Sequence, residues 1–188
     1  SNISYLFIII ANNYIIMKEV KEYIRDIKDF PKKGIVYRDI TPLFLEPKVI
    51  DRVIDRFVAE LDGQNIDKVI GIESRGFFLA PMLAQKLDAG FVPVRKKGKL
   101  PYNTLSMSYD LEYGQDELEI HTDAIHPHEN VLIHDDVLAT GGTAEAVIQL
   151  IEEMDAHIVA SHFLIELKSL KGAEMISRYP YYSMVEYN

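Results

Sequence analysis

The chain has 188 residues, 48% hydrophobic and 26% charged, a balance that suits one globular domain with its own core. Its formal net charge of −9 argues against nucleic acid or an anionic membrane as the main partner, because phosphate-backbone binding needs cations clustered over a broad face. The absence of cysteine removes disulfides, thiolate nucleophiles and cysteine-ligated zinc together, and fits a reducing, cytoplasmic setting.

In chain order, the apolar run Tyr5 to Ala11 lacks a cationic flank and falls well short of the ~20 residues needed to span a bilayer. Residues 1–16 therefore read as an N-terminal extension without an assigned role, and residues 17–188 as a single domain with Met17 as a candidate start. Val20, Ile24 and Ile27, set among Lys18, Glu19, Lys21 and Glu22, predict a short amphipathic helix. Phe30 to Pro42 carries Pro31, Gly34 and Pro42 and predicts an irregular segment. From Pro47, a favourable first helical residue, Val49, Ile50, Val53, Ile54, Phe57 and Leu61 predict a helix with a wide apolar face.

Lys68 to Ile72 predicts a strand running into the polar turn Glu73-Ser74-Arg75-Gly76, followed by a helix with Leu79, Met82 and Leu83. Phe91 to Arg95 predicts another strand, ending in Arg95-Lys96-Lys97-Gly98-Lys99, the densest cationic cluster of an acidic chain. Such runs are usually solvated, but this one follows a strand end, where α/β sheets hold ligands, so a polyphosphate is its expected target. Ser106 to Glu112 and Glu117 to His121 flank Tyr113-Gly114-Gln115-Asp116 and predict a hairpin whose polar tip is a mobile lid. His126 and His128 look like a metal pair, but they sit beside Pro127 in a predicted loop without a third ligand nearby, and no metal is assigned to them.

The most informative stretch is Val131-Leu132-Ile133-His134-Asp135-Asp136-Val137-Leu138-Ala139-Thr140-Gly141-Gly142-Thr143, followed by Val147, Ile148, Ile151 and Met154 at helical spacing. A strand here meets two carboxylates, then a small-residue turn, then a helix. The turn directs backbone N–H groups and a helix dipole at one concavity, which suits a phosphate. Gly141 and Gly142 permit positive φ and close approach, Thr140 and Thr143 add hydroxyls, and Thr143 is placed to cap the helix. Two strand-end carboxylates can accept hydrogen bonds from vicinal hydroxyls, so the combination reads as a ribose-phosphate site. No lysine follows the glycines and G-x-G-x-x-G is absent, which excludes the Walker and dinucleotide patterns. Ile158 to Ile165 predicts a further core strand, Leu170-Lys171-Gly172 leads into a short helix, and Tyr181 to Val185 predicts an edge strand. Strands alternating with helices predict an α/β fold, a mostly parallel twisted sheet with helices on both faces.

The stretch from Val131 to Thr143 resembles the motif that binds 5-phosphoribosyl 1-diphosphate (PRPP) in type I phosphoribosyltransferases, and Leu138 to Thr143 resembles its form in adenine phosphoribosyltransferases. His134 stands where an aliphatic residue is usual. The similarity runs from Val20 to Tyr187 and includes Phe30 to Pro42, Gly71 to Phe77, Arg95 to Pro101, Leu111-Glu112-Tyr113-Gly114 and Glu166-Leu167; Tyr102-Asn103 departs from the pattern. The resemblance implies the type I phosphoribosyltransferase fold, with a small N-terminal base-covering segment and a hairpin lid. It also implies purine salvage, in which adenine and PRPP give AMP and pyrophosphate with magnesium (Mg2+) held mainly through PRPP, in a homodimer whose loops approach each other's sites.

Carried onto this sequence, the resemblance implies that Val36 and Arg38 meet adenine through their backbone, that Tyr37 packs on its ring, and that Leu167 also belongs to the base site. Asp135, Asp136, Ala139, Thr140, Gly141, Gly142 and Thr143 are expected at ribose and phosphate, and Glu73, Ser74, Arg75, Arg95, Lys96 and Lys99 at pyrophosphate. A cis peptide is implied between Glu73 and Ser74. Glu112, Asp135, Asp136 and Arg75 are the expected catalytic residues, with Glu112 managing the proton of the base. The ribose-phosphate motif does not specify the base, so a phosphoribosyltransferase for a 6-oxopurine or orotate remains an alternative. A PRPP-sensing regulator is disfavoured by the acidic chain and the lack of a helix-turn-helix candidate.

Overall fold

The computed structural model describes residues 16–110 and 114–188, apart from the side chain of Asp110. The run Tyr5 to Ala11 and the hairpin positions Leu111, Glu112 and Tyr113 lie outside the described residues. Within the expected domain the chain divides into two compact units, one up to Arg56 and one from Phe57 onward. No described helix is long and apolar enough to cross a membrane.

In the first unit, α1 occupies residues 16–22. It is shorter than predicted: Ile24 and Ile27 leave the helix, and Arg25–Lys28 forms β1, paired antiparallel with β2, Val36–Asp39. The spacing of Ile24 and Ile27 suits a helix, but a pairing partner places Ile27 opposite Tyr37 and tertiary context overrides the local preference. The segment expected to be irregular thus contains a strand. Its turn has a cis Phe30–Pro31 bond and Gly34 at φ +90°, and the Gly34 N–H donates to Asp29 Oδ1 at 2.8 Å. α2, Pro47–Ala59, begins at the predicted proline and buries Val49, Ile50, Val53 and Phe57 at helical spacing.

Among the described residues of the second unit, seven strands form one sheet: β3 (Lys68–Ile72), β4 (Gly90–Lys96), β5 (Thr104–Asp110), β6 (Gln115–His121), β7 (Asn130–Leu138), β8 (His157–Leu167) and β9 (Tyr181–Tyr187). Their order is β5-β6-β4-β3-β7-β8-β9. Strands β4, β3, β7, β8 and β9 are mutually parallel, while the β5–β6 hairpin adds antiparallel at one edge. Val69, Ile70, Gly71 and Ile72 are buried in succession, as expected for a strand covered on both faces. α3, Ala80–Lys86, lies close to β3 because residue 71 is glycine; a Cβ there would come within 2.8 Å of Ala80 Cβ and Phe91 Cε2.

Alternation along β7 sends Val131 and Ile133 into the cluster that contains Val147, Ile148 and Ile151 of α4, Gly142–Glu153. His134 takes the opposite face, against the Phe57 ring, with centroids 5.4 Å apart. The predicted hairpin is present, but Gln115 and Asp116 belong to β6 rather than to the turn. Leu118 and Ile120 are buried, and Leu105, Met107 and Tyr109 pack against the same core. The hairpin strands are therefore rooted in the sheet.

His134 is fully buried, and burial lowers its pKa from 6.5 to about 3. A neutral imidazole thus fills a position suited to an aliphatic side chain. Between those two values the unfolded chain binds a proton that the folded chain refuses, so this contribution to stability is complete above about pH 6.5 and is lost as pH falls toward 3. Urea unfolding across that window is expected to show a His134 contribution of up to about 1.4 kcal/mol per pH unit, which a His134→Leu variant removes.

Candidate active site

β7 continues past the point at which the sequence suggested it would end. Its pairing with β8 extends through Val137 opposite Ile165 and Leu138 opposite Glu166, so Asp135 and Asp136 are strand residues with side chains on opposite faces. Asp136 is nearly fully buried, while Asp135 keeps part of its surface open. The Asp136 N–H donates to Asp135 Oδ1 at 2.8 Å. Arg75 Nε lies 2.7 Å from Asp136 Oδ2, close enough for an ion pair but off the hydrogen-bond line, and this buried oxygen accepts no aligned protein hydrogen bond. Burial and the neighbouring Asp136 charge hold the Asp135 pKa well above the usual carboxylate range. Burial also raises Asp136, against the opposing pull of Arg75. Such a pair gains from new hydroxyl donors or positive charge.

Arg75 reaches β7 through the turn that follows β3. The expected cis peptide between Glu73 and Ser74 is present. Gly76 brings this turn against β7: a Cβ there would lie 3.0 Å from both Asp135 Oδ1 and the His134 carbonyl oxygen.

On the other side of the carboxylates, the turn after β7 leads into α4. Gly141, at φ +89°, is the helix N-cap, and its carbonyl accepts the Glu145 N–H at 2.9 Å. Thr143 was expected to cap the helix, but the left-handed conformation at Gly141 starts the helix earlier and leaves no side-chain cap. Asp135, Ala139, Thr140, Gly141 and Thr143 help line a cavity of about 50 Å³ at the helix N-terminus. First-turn N–H groups and the helix dipole make this a place for a phosphate. Its shape depends on a backbone contact, since a Cβ on Gly141 would approach the Gly172 carbonyl oxygen to 2.7 Å.

At the end of β4, Glu73 Oε1 accepts Lys99 Nζ at 2.5 Å, and Oε2 accepts the Lys96 N–H at 3.0 Å and Arg95 Nε at 3.3 Å. Burial pushes the Glu73 pKa up, but Lys99, the Lys96 N–H and Arg95 more than offset it, so the group is held below its ordinary value. Lys96 Nζ also pairs with Asp116 Oδ2 at 2.8 Å. The Glu73 side chain therefore organises the cations, and any direct contact it makes with an anion would come from its main chain.

Because β4, β3 and β7 are adjacent and parallel, the carboxylate pair, Arg75, the phosphate turn and the cationic cluster share one edge of the sheet. This is the edge at which open α/β sheets bind ligands. Leu167 ends neighbouring β8. Val36, Tyr37 and Arg38 lie on β2 in the first unit, where Tyr37 packs edge-on to Phe30 at 5.2 Å and Arg38 pairs with Asp26. Sequence reasoning did not single out Tyr109, Asp116 as the partner of Lys96, or Gly172. The glycine after Lys171 was the available local signal for the last of these, whereas the other two contacts required the strand register.

The phosphoribosyl transferase domain family matches residues 44–186. An adenine phosphoribosyltransferase from Christiangramia forsetii is 56% identical over 170 residues, covering 90% of this chain and 99% of that protein. The chain belongs to the adenine phosphoribosyltransferase family. The crystal structure of the Rhodothermus marinus adenine phosphoribosyltransferase matches with a TM-score of 0.89 at 50% identity, covering 93% of this chain and 99% of that one. The Saccharomyces cerevisiae enzyme, complexed with D-2,5-dideoxy-2,5-imino-altritol 1,6-bisphosphate and adenine, matches at 0.87 and 38% identity, covering 91% and 99%.

Within this adenine phosphoribosyltransferase fold, Gly141 is constrained both by its positive φ and by the Gly172 backbone. Gly141→Ala is expected to destabilise the protein by about 1–3 kcal/mol, and to weaken AMP binding more than pyrophosphate binding. Denaturant unfolding and calorimetric titration of each ligand check the two effects.

Proposed function

We infer that this protein performs the family's purine-salvage reaction, transferring the 5-phosphoribosyl group from PRPP to adenine to give AMP and pyrophosphate. The observation that carries this reading is the Asp135–Asp136 pair, with Arg75 on one side and the glycine-led N-terminus of α4 on the other. That order of groups matches pyrophosphate, ribose and 5-phosphate along one PRPP molecule.

In the reaction the bond from ribose C1 to the pyrophosphate oxygen breaks and a base nitrogen forms the new bond to C1. Positive charge develops on the ribose, in an oxocarbenium-like transition state, while negative charge gathers on the leaving group. Asp135 and Asp136 hold the ribose hydroxyls and stabilise the cationic ring. Arg75, Arg95, Lys96 and Lys99, with the main chain of Glu73 and Ser74, take the pyrophosphate, and residues Ala139 to Thr143 hold the 5-phosphate. Val36 and Arg38 meet the base through their backbone, Tyr37 packs on its ring, and Leu167 completes its contacts. Glu112 manages the proton on the base nitrogen.

Magnesium would be held mainly by PRPP oxygens and retained waters, a mode that calls for few protein carboxylates. Magnesium bound with PRPP supplies charge neutralisation at the pyrophosphate. A cysteine-free chain suits the cytoplasm. The protein acts as a homodimer; exposed Phe78, Met82 and Phe91 offer apolar surface for the second copy.

A spectrophotometric screen of adenine, hypoxanthine, guanine, xanthine and orotate with PRPP and magnesium tests the assignment. Turnover with adenine alone is expected, and preference for another base would overturn it. Asp135→Asn and Asp136→Asn are each expected to lower kcat/KM for PRPP by roughly 10- to 150-fold, corresponding to a lost charge-assisted hydrogen bond of about 1.5–3 kcal/mol, with the fold retained by circular dichroism. Glu112→Gln is expected to lower kcat with little change in PRPP affinity; a wild-type kcat would remove Glu112 from the mechanism.

A further inference from the structure

Strand β6 runs between β4 and β5, and three of its acids bond to the cationic segment that ends β4. Asp116 Oδ2 takes Lys96 Nζ at 2.8 Å, Glu117 Oε2 takes Lys97 Nζ at 2.6 Å, and Glu119 Oε2 accepts the Gly98 N–H at 2.9 Å. Asp116 is set apart by its partner, since Lys96 is one of the cations assigned to pyrophosphate. The Asp116 carboxylate is also held by its own hairpin. Its Oδ1 accepts the Glu117 N–H at 2.9 Å, and its Oδ2 accepts the hydroxyl of Tyr109, the residue opposite it in the strand register, at 3.4 Å. The Lys96 main chain is fixed too, because its N–H donates to Glu73 Oε2 at 3.0 Å, but 52% of the Lys96 side chain is exposed. The carboxylate is thus the fixed member of the pair, and the ammonium, on its flexible four-carbon stem, is the movable one. Each keeps the other charged: Lys96 holds the Asp116 carboxyl below its ordinary pKa, and Asp116 raises that of Lys96.

We propose that Asp116 is a positioning residue that competes with pyrophosphate for the Lys96 ammonium. When the diphosphate end of PRPP or free pyrophosphate binds, Lys96 exchanges the Asp116 oxygen for a phosphoryl oxygen; when pyrophosphate leaves, Asp116 takes the ammonium back. The ion pair therefore subtracts from the affinity for both ligands and favours release of the product. Glu73 acts differently, because its nearly buried carboxylate is shared among Lys99, Arg95 and the Lys96 N–H and so anchors the cluster rather than one movable side chain. This role for Asp116 rests on the assignment of Lys96 to pyrophosphate above, and it adds a residue that touches neither substrate.

Calorimetric titration with inorganic pyrophosphate and magnesium tests it on the full chain, at about 0.15 M ionic strength, where exposed charges more than about 8 Å apart are largely screened. Asp116→Asn keeps the shape of the side chain and removes its charge. It is expected to bind pyrophosphate roughly two- to fivefold more tightly, the span of a half-exposed ion pair, and to lower KM for PRPP in the same direction while KM for adenine and the Tm stay unchanged. A side chain that only supported the hairpin would weaken binding instead. In a Lys96→Met background the same substitution is expected to change the affinity little, because the group competed for is gone. An equal gain in both backgrounds would show plain charge repulsion and overturn the proposal, as would unchanged or weaker binding in Asp116→Asn with Lys96 in place. If Asp116→Asn does not fold, Asp116→Ser is titrated against the same expectation. Lys96→Met alone separates this proposal from the reading beneath it. Weaker pyrophosphate binding in that variant supports the Lys96 assignment, so that a silent Asp116→Asn then overturns the competition only, whereas unchanged binding overturns both. None of these titrations needs turnover, and the base screen decides the choice of base independently.

Discussion

Two carboxylates on consecutive residues of a largely buried strand repel each other in a place where water cannot screen them well, and the arrangement of the second unit follows from how that repulsion is managed. Removing such charges from water is costly unless a cation or hydrogen-bond donors compensate. Here Arg75 stands 2.7 Å from Asp136, and the Asp136 N–H serves Asp135. Arg75 arrives on a turn that packs closely on β7, where a Cβ at residue 76 would press on Asp135 Oδ1 and the His134 carbonyl oxygen. His134, the residue before the pair, is held neutral by burial and so adds no charge. The compensation is incomplete, since one buried carboxylate oxygen, Asp136 Oδ2, still lacks an aligned donor from the protein.

The cationic cluster is managed in the opposite sense. Arg95 and Lys99 converge on Glu73, Lys96 pairs with Asp116, and Lys97 pairs with Glu117. These acids hold like charges together at the end of β4. They also show how a chain of net charge −9 gathers cations at the end of β4: part of the excess acid holds them there.

Some of this was legible in the sequence because it is local. The succession of apolar strand, Asp135-Asp136, small-residue turn and periodic helix predicted β7, the glycine turn and α4, since helix periodicity and glycine freedom act within a few residues. The turn after β3 and the cluster after β4 were legible for the same reason. Ile24 and Ile27 misled because their spacing suits a helix, and only the presence of β2 as a partner made them part of a strand and its approach. Thr143 misled because its capping role depended on the conformation of Gly141, two residues earlier.

The sequence by itself determined the alternation of strands and helices, the glycine turns and the chemical types of residue available for a ribose bearing two phosphate groups. Tertiary structure decided the strand order, and with it the gathering of three strand ends on one edge. It also decided that Glu73 binds cations through its side chain, that His134 lies against Phe57, and that Asp116 meets both Tyr109 and Lys96. The physical reason is range: propensity and periodicity are properties of neighbours along the chain, whereas charge pairing and close packing act between groups that only the completed sheet brings together.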